Sequence, residues 1–105
     1  MMAPHILTCP ACVDTQIFHD ELHEDSAWHE IELRAGQRYL VETTQERGFA
    51  NIELLELEHE VHISCASFGE QQVCGVAADQ DAALGILVDS TGASSRVLIE
   101  VRESP

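Results

Sequence analysis

The sequence predicts an all-β domain, a sandwich or a barrel. Three observations point that way. Residues 52–63 alternate strictly: Leu55, Leu57, His59, Val61 and Ile63 share one side of an extended backbone, and Glu56, Glu58, Glu60 and His62 share the other. That pattern describes one long strand with a dry face and a wet face, and a dry face needs a second layer to cover it. Six glycines, at 36, 48, 69, 75, 85 and 92, divide the body into short segments. Prolines stand only at 4, 10 and 105, so none interrupts those segments.

The elements follow in order. Residues 1–13 form a Cys-containing N-terminal arm. Residues 13–25 fit either a short helix capped by Asp14, with Phe18 and Leu22 four apart, or a strand near 16–22; the β character elsewhere favours the strand. Residues 28–34 place His29, Ile31 and Leu33 on one face, and residues 38–44 align Tyr39, Val41 and Thr43. The short link Ala35-Gly36-Gln37 between them predicts a hairpin. After a polar turn at 45–48 comes the long alternating strand, then a loop at 66–72 carrying Gly69. Residues 73–78 are a return strand weakened by Gly75, and 79–81 a turn. Residues 84–88 form a short apolar strand, and 89–95 a polar turn. Residues 97–102 close the chain with Val97, Ile99 and Val101 inward and Glu100 and Arg102 outward.

The chain has 105 residues, enough for one domain with a real core. No apolar run is long enough to cross a bilayer as a helix, so no membrane insertion is expected. The N-terminus lacks the basic start and long apolar middle of a secretory signal. Nineteen acidic residues oppose five arginines, and lysine is absent, for a net charge of -14. Such a surface repels phosphate backbones, so no nucleic-acid partner is expected. It serves solubility first, and beyond that it attracts cations or a basic protein.

The run Trp28-His29-Glu30-Ile31-Glu32-Leu33-Arg34-Ala35-Gly36-Gln37-Arg38-Tyr39-Leu40-Val41, preceded by a strand and followed by Ile52-Glu53-Leu54-Leu55-Glu56, resembles the bacterial pre-peptidase C-terminal domain over residues 16–102. Asp20 and Asp25 match only part of that family's aspartates, and Val97-Leu98-Ile99-Glu100-Val101 replaces its aromatic last strand. The resemblance implies a jelly-roll-like antiparallel β-sandwich of about seven or eight short strands. It also implies an accessory that accompanies or anchors other proteins without chemistry of its own.

Two cysteine pairs could carry chemistry. Cys9 and Cys12 can direct two thiolates at one tetrahedral ion, with His5, His19 and His23 nearby in sequence, so zinc is the candidate cofactor. Cys65 and Cys74 are suited to a disulfide across a loop. The competing reading is that all four cysteines are bridged or are free structural thiols; redox exchange is weaker, because no βαβ context lowers a thiol pKa. If the cysteines are bridged, the location is extracellular or periplasmic. His59 is expected buried on the apolar face, and His62 solvated on the other. His19 and His23 lie among Asp20, Glu21, Glu24 and Asp25, an acidic patch that is solvated or collects divalent ions.

No nucleophile elbow, phosphate loop or H-E-x-x-H motif occurs, and no enzymatic activity is expected. Trp28 and Tyr39, on adjoining predicted strands, are candidate binding residues, with core packing the more frequent use of such side chains. The leading reading is a non-catalytic accessory, binding or assembly module with a protein partner or self-association. The alternatives are a small zinc protein and a self-assembling structural subunit.

Overall fold

A computed structural model describes residues 15–90 and 94–104. Among the described residues there is no helix, and eight strands form: β1 (Thr15–Leu22), β2 (Ser26–Leu33), β3 (Arg38–Arg47), β4 (Ala50–Glu56), β5 (Val61–Phe68), β6 (Gln71–Ala78), β7 (Ala82–Ser90) and β8 (Ser95–Ser104). They build two antiparallel sheets, a five-stranded one in the order β1-β8-β3-β6-β5 and a three-stranded one in the order β2-β7-β4.

The pairing is nested. β1 pairs with β8, β2 with β7 and β3 with β6, so the two halves of the chain run back along each other and roll up. This is jelly-roll order. A complete roll would add a fourth rung between β4 and β5. Here β5 leaves the smaller sheet and pairs with β6 instead, from Val61↔Ala78 to Phe68↔Gln71. The larger sheet therefore extends beyond the layer that covers it.

The core lies between the sheets and follows the two-residue period. From the larger sheet come Tyr39, Val41, Cys74, Val76, Val97, Ile99 and Val101; from the smaller come Ile31, Leu33, Leu84, Ile86 and Val88. β7 is central in its sheet, and its inward Leu84, Ile86 and Val88 have no solvent exposure. Each such side chain contributes about 1.5–3 kcal/mol relative to an exposed one. At one flank His29 points inward from β2, where its Nε2 lies 2.7 Å from Asp20 Oδ2 and its ring stacks on Phe18 with centroids 4.2 Å apart. That pairing lets two polar groups sit partly buried beside the core.

The strand over 13–25 forms as β1, and the inward faces of β2 and β8 are those the alternation predicts. Four expectations are corrected. The alternating run 52–63 is two strands in different sheets: β4 ends at Glu56, residues 57–60 cross between layers, and β5 begins at Val61. Its supposed dry face is mixed. Val61 is buried and Leu55 half-buried, while Leu57, His59 and Ile63 are exposed, so His59 is not a core histidine. β2 and β3 are not a hairpin; the turn at Gly36 (φ 78°) carries the chain from one sheet to the other. Ala35 N–H donates to Asp81 Oδ1 at 2.8 Å, tying that crossing to the β6–β7 turn.

The segment 66–72 is not an open loop either. β5 continues to Phe68, and a two-residue turn at Gly69 (φ 62°) and Glu70 leads straight into β6. The expected disulfide forms between Cys65 and Cys74, which face each other across the middle of this hairpin with Cα atoms 4.0 Å apart. It is a cross-strand brace and not a loop staple.

Candidate functional site

The outer face of the smaller sheet carries the site. Because Ile31 and Leu33 face the core, the alternate residues Trp28, Glu30 and Glu32 must face out. Strand register sets Trp28 opposite Leu87 and Glu30 opposite Gly85 on β7. On the other flank, Glu53 stands opposite Leu87 and Leu55 opposite Gly85. The six-membered ring of Trp28 lies directly over Gly85, where a β-carbon would collide with Cη2 and come within 2.8 Å of Cζ2. Glycine is thus the residue that lets the indole settle onto the sheet. The indole N–H donates to Glu30 Oε2 at 3.1 Å, which fixes the ring along its own strand.

The result is an apolar platform of Trp28 with half-buried Leu55 and Leu87, bordered by Glu30, Glu32, Glu53 and Asp89. Trp28 remains 45% exposed, far more than a core tryptophan. An aromatic face edged by carboxylates suits a cation on an apolar stem. The ring attracts the charge through its quadrupole, the carboxylates pair with it, and Leu55 and Leu87 receive the methylenes.

The larger sheet's outer face is of two kinds. Over β1, β8 and β3 it is ionic: Arg96 pairs with Glu21, Arg102 with Glu42, and His19 Nε2 lies 2.6 Å from Glu46 Oε1. Arg96, through a hydrogen bond and then its charge, holds the Glu21 carboxyl below its ordinary pKa. Over β5 and β6 it is uncharged. A trough of about 390 Å³ lies there, with Leu40, Ser64, Gly75 and Ala77 among its lining and Arg38 and His62 beside them.

The candidate residues named from sequence are scattered. Tyr39 does not join Trp28: it lies in the other sheet, faces the core at 6% exposure, and its hydroxyl accepts the Arg34 N–H at 2.8 Å. His19 is engaged with Glu46, and His23 sits in the β1–β2 turn, where its backbone N–H donates to Asp25 Oδ1 at 2.7 Å. Among the described residues no group of three or more His, Cys, Asp or Glu is placed to hold a metal ion. His5, Cys9 and Cys12 lie outside the described residues. Also among those residues, no helix is long and apolar enough to cross a membrane.

Sequence reasoning picked out Trp28 but not its setting. Gly85, Leu87, Leu55 and Glu53 become neighbours of Trp28 only through the β2·β7 and β4·β7 pairings, whereas Glu30 already shares its face two residues along β2. The one local signal was a glycine inside an otherwise apolar strand, which marks a close approach. No family model, curated protein or solved structure matches the chain.

Proposed function

We propose that the protein is a non-catalytic binding module whose Trp28 platform receives an arginine or lysine side chain of a basic protein partner. The observation that carries this reading is the half-exposed indole seated over Gly85 with carboxylates on both flanks. The net charge of -14 supports it, because a basic partner is drawn in from a distance before contact is made. The jelly-roll order is compatible with the likeness to pre-peptidase C-terminal domains and with an accompanying role. The Cys65–Cys74 bridge favours an extracellular or periplasmic location.

Trp28 is the chain's single tryptophan and so reports on its own site. Titration with short arginine-containing peptides should change its emission saturably and more weakly as salt rises. Trp28→Ala should abolish peptide binding measured by calorimetry, and Glu30→Gln should weaken it. Unchanged affinity in Trp28→Ala would reject the reading.

A further inference from the structure

The hairpin 61–78 contains a single charged residue, Glu70 at its turn, in a chain where 23% of residues are charged. Among the described residues its outer strand β5 is a free edge, and every residue of β5 after Val61 is exposed. The other three edges carry carboxylates: Asp20 and Glu21 on β1, Glu30 and Glu32 on β2, Glu53 and Glu56 on β4. Exposed edges are ordinarily blunted by charge, proline or a covering loop. β5 has no charged residue and no proline along its length.

We propose that β5 is a self-association edge, pairing antiparallel with β5 of a second copy to join two five-stranded sheets into one. A molecule of charge -14 resists meeting its own copy. Among the four edges of the described residues, β5 is the one whose own strand residues set no carboxylate against carboxylate when two copies meet. The occupant is therefore the same chain, related by a two-fold axis.

The ladder also sets the register. Cys65 and Cys74 have Cα atoms 4.0 Å apart, the close spacing of a non-hydrogen-bonded antiparallel pair. Bonding alternates along a strand, so Val61, Ile63, Cys65 and Ser67 aim their N–H and C=O groups away from β6, at the free edge. A two-fold axis through Ser64 pairs Val61 with Ser67 of the second copy and Ile63 with its Cys65. That register uses all four residues, and a shift by one pair loses some of them. An axis of this kind is perpendicular to the sheet, so both three-stranded layers lie on the same side. The overhanging Ile63, 36% exposed, then gains a neighbour across the join. The disulfide ties β5 to β6 and holds the edge ready for pairing. None of this rests on the Trp28 platform.

Sedimentation velocity of the full chain over a concentration series should show a monomer–dimer equilibrium. Ile63→Glu sets a carboxylate at the join and should weaken dimerisation about a hundredfold. Ile63→Pro removes an N–H that β6 does not use and should do the same while leaving circular dichroism unchanged. In a background of Cys9→Ser and Cys12→Ser, Ser64→Cys should form a covalent dimer on mild oxidation, and Ala66→Cys should not. A monomer at every concentration, a dimer indifferent to both Ile63 substitutions, or equal cross-linking at 64 and 66 would overturn the proposal.

Discussion

Substituting Gly85 with alanine tests how the indole is seated. Gly85 has no positive φ, so alanine suits its backbone, and the three atoms nearest a β-carbon there all belong to Trp28. Two effects oppose one another. Replacing a strand glycine reduces the freedom of the unfolded chain and stabilises by about 0.5–1 kcal/mol. The added methyl lifts the ring. A tryptophan offers about 250 Å², and at 45% exposure roughly half of that is covered. Uncovering all of it would cost about 3 kcal/mol. The ring's far end can swing outward and keep its contacts elsewhere, so about 1–2 kcal/mol is lost. The net change in the parent chain is near zero to about 1.5 kcal/mol of destabilisation. In a Trp28→Ala background the obstacle is gone, and the same substitution should stabilise by about 0.5–1 kcal/mol. Urea denaturation of the four proteins in the double-mutant cycle should give a coupling of about 1–2 kcal/mol. Tryptophan emission should also shift to the red in Gly85→Ala. Additive effects, with the same sign in both backgrounds, would refute the seating described here.

Three further outcomes are expected. Gly48→Ala should destabilise by more than about 2 kcal/mol, because Gly48 has φ 65° and its β-carbon would strike the backbone carbonyl of Ser94; thermal melting would show it, and a neutral result would contradict the turn. Replacing Cys65 and Cys74 together by serine should cost about 2–3 kcal/mol for a cross-link over a separation of nine residues, read as a shift in the denaturation midpoint. Glu21 has a lowered folded pKa, so its contribution is present above the unfolded value and is lost as pH falls through the folded one. Stability curves of the parent and Glu21→Gln should therefore converge in acid and separate above the ordinary value of 4.5; a gap that persists in acid would contradict the pairing with Arg96.

The sandwich was legible because one-sided burial imposes a period of two. Ile31 and Leu33 on β2, Val41 on β3, and Val97, Ile99 and Val101 on β8 all face the core as their alternation requires. The choice of partner was not legible. The turn at Gly36 serves a hairpin or a crossing between layers equally well, and only the distant Asp81 carboxylate and the β2·β7 pairing distinguish them. The break between β4 and β5 was hidden for a different reason. Leu57, Glu58, His59 and Glu60 continue the alternation with no glycine or proline, so nothing local marks the place where the chain changes sheets. Trp28 was visible as a candidate binding residue with Glu30 and Glu32 beside it on the same strand, but the opposite part of its border, Glu53 and Asp89, exists only after pairing.

The nested pairing has a consequence for synthesis. Among the described residues, β1 finds its only ladder on β8, and β2 finds its own on β7. β1 and β2 are synthesised before β7 and β8 and must therefore wait, unsheltered, until those partners emerge. Contacts so far apart along a chain form slowly, on the scale of milliseconds to seconds. During that interval the dense carboxylates of the early strands keep nascent copies apart, so the charge guards the molecule before there is a fold to guard.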